Sequence, residues 1–152
     1  MLEILNVNNF GVFYTIDIGG HRPMAKVLGV GGIFFKSPDP QRLYQWYSQW
    51  LGLPVQTEAG ITFVAFHPHS MPRNGYTVWS TFEATTTYFS PSDNEFMFNL
   101  VVDDLEEALS QVRAGGAQMV GEVEKSDYGQ FGWFMDPDGN KVELWQPPES
   151  LP

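Results

Sequence analysis

Glu143 has the strongest claim to chemistry in this sequence. It stands between Val142 and Leu144 in a short apolar run that ends at Trp145, one hairpin away from Trp133. A carboxylate held among aromatic rings can act as an acid or base, or bind a cation beside the rings. The bland alternative is a surface carboxylate in water or paired with a lysine. Asn99 offers a carboxamide and Tyr128 a phenol, although Tyr128 also fits a loop residue satisfied by backbone. His67 and His69 bracket Pro68, a spacing that could chelate, but Ser70-Met71-Pro72-Arg73-Asn74-Gly75 behind them reads as loop. The chain has no cysteine, which excludes disulfides, thiolate metal sites and a Cys nucleophile. Gly29, Gly31 and Gly32 precede a strand rather than open a helix, so they make no dinucleotide fingerprint.

The elements that position these residues come as a repeat. Val30 to Lys36 is an apolar run ending at Ser37-Pro38-Asp39-Pro40, where Asp39 suits a helix N-cap and Pro40 the first helical position. Leu43, Trp46, Tyr47, Trp50 and Leu51 follow on one helical face, and Gly52 stops the helix. About 65 residues later the pattern returns. Phe96 to Val102 reads as a strand ending at Asp103-Asp104, and Leu105, Ala108, Leu109 and Val112 mark a helix closed by Gly115-Gly116. Asp39 to Gly52 and Asp103 to Gly116 span equal lengths. Three strands are expected behind each helix. In the first unit they fall near Val55 to Gln56, Ile61 to Phe66 and Tyr76 to Phe82. In the second they fall at Gln118 to Glu122, Phe131 to Met135 and Lys141 to Trp145. Asp136-Pro137-Asp138-Gly139-Asn140 turns the last two into a hairpin. The expected fold class is α+β: paired βαβββ modules forming a curled mixed sheet around a groove, with the helices outside.

Strand alternation then sorts the side chains. Val142 and Leu144 should pack under the helix, which turns Lys141, Glu143 and Trp145 to the opposite face. Hairpin pairing sets Trp133 opposite Glu143 and Phe131 opposite Trp145. Phe98 and Leu100 go with the helix, leaving Met97, Asn99 and Val101 to the groove, as Phe34 is left in the first unit. The expected ligand-binding set is Phe34, Trp79, Phe82, Met97, Asn99, Tyr128, Phe131, Trp133, Glu143 and Trp145, with Glu143 the catalytic candidate. The alternative is that these aromatics merely glue the modules together. Apolar pockets with a few polar groups are the usual ligand sites.

Across about residues 27 to 147 the chain resembles the vicinal-oxygen-chelate superfamily of glyoxalase, bleomycin-resistance and dioxygenase-like proteins. Asp39 with the Trp46-Tyr47 helix and Leu51-Gly52-Leu53 carries the resemblance, with Val101-Val102-Asp103-Asp104-Leu105. Asp136-Pro137-Asp138-Gly139-Asn140 followed by Val142-Glu143-Leu144 is the most specific part. Trp79 and Phe82, Tyr88-Phe89, and Tyr128-Gly129-Gln130-Phe131-Gly132-Trp133 add to it. The resemblance implies four metal-ligand positions, on the first and last strand of each module. Here Gly32, Met97 and Trp79 or a neighbour fall where ligands are usual, and only Glu143 matches. No metal or other cofactor is therefore expected, with a divalent metal on non-standard ligands as the alternative. The resemblance also implies a homodimer.

The 152 residues fit one domain. Residues 1–26 are read as an extension of uncertain order, in which Phe10 to Ile18 alternates like a strand. Residues 27–147 form the domain, with modules at about 27–90 and 95–147, and residues 148–152 a tail. A formal net charge of -10 disfavours nucleic acid and anionic membranes as partners. No apolar run approaches the ~20 residues that span a bilayer, and the N-terminus lacks the blocks of a signal peptide. A cytoplasmic protein is expected. Twelve Phe, six Tyr and five Trp exceed the needs of a core this size. The expected function is binding of a small molecule, aromatic or cationic, in an aromatic groove without the usual metal. A metal-dependent lyase, isomerase or dioxygenase with non-standard ligands is the alternative, and a subunit recognising a partner protein the third reading.

Overall fold

The computed structural model describes residues 4–7, 13–16 and 25–150. The chain divides into two compact units, residues 1–31 and 32–152, a boundary slightly beyond the expected start of the domain. In the first unit β1 (Ile4–Val7) and β2 (Phe13–Ile16) pair antiparallel, with Ile4 opposite Ile16. The strand expected from Phe10 to Ile18 covers Phe13–Ile16, and its remaining residues lie outside those described.

The second unit holds both helices. Helix α1 (Pro40–Leu51) starts where Asp39 accepts a hydrogen bond from Arg42 N at 3.1 Å, and ends at Gly52 in the left-handed region, φ 62°. Helix α2 (Leu105–Ala114) starts where Asp104 accepts from Glu107 N at 3.0 Å. The equivalent of Asp39 is thus Asp104, not Asp103, because only Asp104 is placed to reach the amide three residues on. No helix of the described residues is long and apolar enough to cross a membrane.

Two sheets accompany the helices. β3 (Val55–Glu58) and β4 (Ile61–Val64) form a hairpin. β5 (Phe98–Val101), β6 (Gln118–Ser126), β7 (Gly129–Met135) and β8 (Lys141–Gln146) form a four-stranded sheet in the order β5-β8-β7-β6. β5 runs parallel to β8 and the other pairs are antiparallel. The second module is therefore βαβββ, and the fold class is α+β as expected. Two strands expected in the first module are not formed. Val30 to Lys36 and Tyr76 to Phe82 run without strand pairing. Glycine at 29, 31 and 32 raises the entropy lost in fixing the first of these segments. The second is drawn onto the face of the large sheet instead, where Tyr76 meets Trp145 edge-on at 5.0 Å and Phe82 stacks on Tyr88 at 5.4 Å.

The core lies between helices and sheet. Leu43 and Tyr47 of α1 meet Leu105, Ala108, Leu109 and Val112 of α2, over Phe134 of β7 and Val142 and Leu144 of β8. Each large apolar side chain fully buried here contributes about 1.5–3 kcal/mol. The face assignment of β8 follows the alternation in the sequence.

Asp136 ties this core to the last hairpin. Its Oδ1 accepts from the amides of Asp138 and Asn140, both at 2.9 Å. Its Oδ2 accepts from Asn140 Nδ2 at 2.7 Å and from the Tyr47 hydroxyl at 3.0 Å. Next to it, Asp138 pairs with Arg42 at 2.8 Å and accepts from Ser37 Oγ at 2.5 Å. The start of α1 is thereby fastened to the β7–β8 turn. Burial, then the charge and hydrogen bond of Asp136, push the Tyr47 phenol well above the usual tyrosine range. In urea unfolding at neutral pH, Tyr47→Phe should lose about 1.5 kcal/mol and Asp136→Ala about 3 kcal/mol or more, since the latter strands several donors. Folded Tyr47 keeps its proton where the unfolded chain's tyrosine loses it, so this stability is present below pH ~10 and falls above it. The gap between wild type and Tyr47→Phe should accordingly shrink as pH rises past ~10.

Candidate functional site

Three strands bring the site together. Asn99 of β5 and Trp133 of β7 each lie opposite Glu143 of β8, one on either side, and Phe131 lies opposite Trp145. That is the hairpin register read from the sequence. Glu143 is 8% exposed, Trp133 7% and Trp145 4%, so this carboxylate must be satisfied by protein groups. Its Oε1 accepts from Asn99 Nδ2. Its Oε2 accepts from Trp133 Nε1 at 2.7 Å and from the Tyr88 hydroxyl at 2.8 Å. The first two partners belong to the sheet. Tyr88 comes from the turns before β5.

Tyr88 sits in an aromatic setting of its own. Its ring stacks on Phe82 with 9° between planes, and meets Trp133 edge-on at 6.5 Å. Lys141, on the same face of β8 as Glu143, donates to the Tyr88 carbonyl at 2.6 Å. The Lys141 ammonium lies 4.9 Å from the centre of the Tyr88 ring and 5.8 Å from that of Trp133. Partial burial, then the hydrogen bond and charge of Glu143, raise the Tyr88 phenol above its ordinary range. Burial lowers the Lys141 ammonium, with Glu143 and Glu124 pulling the other way.

A second aromatic patch adjoins the first through β8. Trp145 stacks on Phe131 at 6.2 Å and donates from Nε1 to the Tyr128 carbonyl at 2.8 Å. Gly129 makes this approach possible: its φ is 116°, and a Cβ there would strike the Gln146 carbonyl and crowd the Trp145 Nε1.

The expected site residues divide between these patches and the surface. Asn99, Trp133 and Glu143 converge, Phe82 joins them through Tyr88, and Phe131 and Trp145 make the second patch. Tyr128 contributes its carbonyl, its side chain being 63% exposed. Met97 is half-buried beside the start of β5. Phe34 and Trp79 are exposed and take no part in the aromatic contacts around Glu143. Three participants fall outside the expected set. Lys141 was visible in its alternation with Glu143 and Trp145, and Tyr88 only as part of the Tyr88-Phe89 pair. Tyr76 carried no signal. His67 and His69 stack on each other at 5.4 Å, away from this site's contacts. A separate cleft beside α1, lined by Tyr44, Gln45, Val55, Thr57 and Thr62, holds no carboxylate or histidine. Among the described residues no three His, Asp or Glu side chains converge as metal ligands would.

With this geometry established, comparison with known proteins places the chain. The family model described as a glyoxalase-like domain matches residues 32–145. The chain belongs to the glyoxalase-like domain family. Its resemblance to the vicinal-oxygen-chelate superfamily is thus borne out. Among solved structures, a glyoxalase-related enzyme from Fulvimarina pelagi is 16% identical over 80% of this chain and 90% of its own, with a TM-score of 0.48. An integron cassette protein from the mobile metagenome of V. cholerae is 20% identical over 71% and 86%, with a TM-score of 0.44. A member of the glyoxalase/bleomycin resistance protein/dioxygenase superfamily from Sphaerobacter thermophilus is 30% identical over a shorter stretch, 32% of this chain and 40% of that one, with a TM-score of 0.30. No curated protein matches the chain.

The geometry makes Glu143 the acceptor at the centre of the glyoxalase-like sheet. Glu143→Gln turns an amide N–H toward groups that themselves donate, and should lower stability in urea by about 2 kcal/mol. Tyr88→Phe should lower it by less than about 1 kcal/mol, because Tyr88 is 40% exposed and water replaces its hydroxyl at Glu143. Equal losses would show that Tyr88 is as fixed a partner as the sheet residues.

Proposed function

We propose that this glyoxalase-like protein binds a small aromatic molecule against the Glu143 face of its large sheet, without a divalent metal at the family's ligand position. One observation carries the reading: the Glu143 carboxylate is engaged by Asn99, Tyr88 and Trp133 among stacked rings. An indole N–H has no lone pair to give a cation, and an ammonium, here Lys141, stands nearby. This donor set does not fit a divalent ion, and Gly32, Met97 and Trp79 supply no ligands for one. The position of Lys141 over the Tyr88 ring also favours an aromatic ligand over a cationic one, since the place beside the rings already has its cation. A chain without cysteine suits the reducing cytoplasm, where we place it.

Metal analysis and ligand screening test this together. Gently purified protein, incubated with Zn, Ni, Mn or Fe(II), should retain less than about a tenth of an equivalent of each. Neutral bicyclic aromatics should raise its Tm, and Trp133→Ala should abolish that rise. Near one equivalent of metal, lost in Glu143→Gln, would turn the reading to a metal-dependent lyase, isomerase or dioxygenase.

A second copy of the chain is the partner we propose for the first module. Ile33 is 63% exposed, Phe34 95%, Val78 66% and Trp79 81%, apolar area of the kind that protein interfaces cover. Light scattering should give twice the 17.2 kDa chain mass. The double substitution Phe34→Ser with Trp79→Ser should bring it down to the monomer, whereas a monomeric wild type would refute the pairing.

A further inference from the structure

Glu143 has two kinds of hydrogen-bond partner. Asn99 and Trp133 are its neighbours in the strand register, held by the ladders of β5 and β7. Tyr88 reaches it from a turn outside the sheet, across 55 residues of sequence, with its side chain 40% exposed. The Tyr88 carbonyl is held by Lys141 Nζ, and the chain just beyond the turn by Ser92 Oγ to the Gly139 carbonyl and Asn94 Nδ2 to Asn140 Oδ1, none of which uses the Tyr88 side chain. Tyr88 is thus the one member of the cluster that can leave without unpairing a strand. What it would leave behind is defined by three groups. Oε2 of Glu143 would keep the Trp133 indole but lose the second of its two donors, the Phe82 ring would lack its stacking partner, and the edge-on place against Trp133 would be open.

On the reading that this face binds an aromatic molecule, we infer that Tyr88 is a built-in stand-in for the ligand, and that the ligand class is a neutral aromatic bearing a hydroxyl. A phenolic compound entering here restores each interaction Tyr88 gives up: its hydroxyl donates to Glu143 and its ring stacks on Phe82. A flat ring without a donor leaves the buried carboxylate short of a partner and is penalised for it. A cationic ring meets the Lys141 ammonium. Because Tyr88 and the ligand compete for one acceptor, the fraction of protein with Tyr88 withdrawn scales the apparent affinity.

The test is calorimetric titration of the whole chain with 2-naphthol and with its methyl ether, 2-methoxynaphthalene. Wild type, Tyr88→Ala and Tyr88→Phe are compared, with folding checked by circular dichroism. 2-Naphthol should bind Tyr88→Ala about tenfold more tightly than wild type, and about tenfold more tightly than the ether binds the same variant. Tyr88→Phe, which keeps the ring and frees only the acceptor, should gain about threefold, and it decides the matter if Tyr88→Ala fails to fold. Unchanged or weaker naphthol binding in the variants, or equal binding of naphthol and ether, overturns the stand-in role while leaving an aromatic site in place. Absence of binding by either compound to all three proteins overturns the site itself.

Discussion

Asp136 has almost no contact with water, and four hydrogen bonds converge on its carboxylate to replace that water. Three of these shape the turn between β7 and β8, and the fourth comes from Tyr47 on α1. The turn fixes the register of the hairpin, and the register decides which residue faces Glu143. Had the pairing slipped by one residue, Trp133 would have pointed at the helices and Phe134 at the site. The same carboxylate joins the helix of one module to the hairpin of the other, which is why Leu43 and Tyr47 can share a core with Phe134 and Leu144.

Glu143 is the second buried carboxylate, and its solution differs in kind. Asp136 is surrounded by its own turn and a helix, partners that move only if the fold opens. Glu143 has two partners as fixed as those and a third from an irregular segment. Both carboxylates are fully hydrogen-bonded, so neither is an unmet demand in the resting protein. The difference lies in how much structure must be undone to free an oxygen. For Asp136 it is a helix or a turn. For Glu143 it is one phenol and the lysine that holds its carbonyl.

The legibility of the sequence follows the range of the forces involved. Helix α1 was legible to the residue because its signals are local: Asp39 at the cap, Pro40 behind it, Gly52 at the end. The second cap falls within the Asp103-Asp104 pair at which the first strand of that module was expected to end, and it is Asp104 that reaches Glu107 N. The β7–β8 hairpin and its pairing were legible because the turn is short and apolar residues alternate on both arms. Val30 to Lys36 and Tyr76 to Phe82 looked like strands by composition, but a strand also needs an edge to pair with, and no local pattern says which edge is free. Tyr88 illustrates the limit most clearly. Its partner lies 55 residues away, and nothing beside it in the chain distinguishes its phenol from that of Tyr128. The polar set around Glu143 was half legible, the half that strand alternation reaches.

The aromatic excess has an uneven distribution that bears on chemistry. Few of the rings are in the core: Tyr47 and Phe134 are buried there, with Trp46 and Phe98 packed at its margin. Others line the opposite face of the same sheet, where Trp133 and Trp145 are nearly as buried as the core itself while each spends its indole N–H on an oxygen. A sheet that needed covering only for stability would be covered more cheaply by aliphatic side chains, which leave no polar atom to satisfy. Placing a carboxylate, two indoles and a phenol there demands that every polar atom find a partner, and each does. In a family whose fold does not dictate its chemistry, that polar investment on one face is the property of this chain that sets it apart from a generic core. Around Glu143 those donors all come from the protein itself: Asn99 and Trp133 from the neighbouring strands and Tyr88 from the turn before β5.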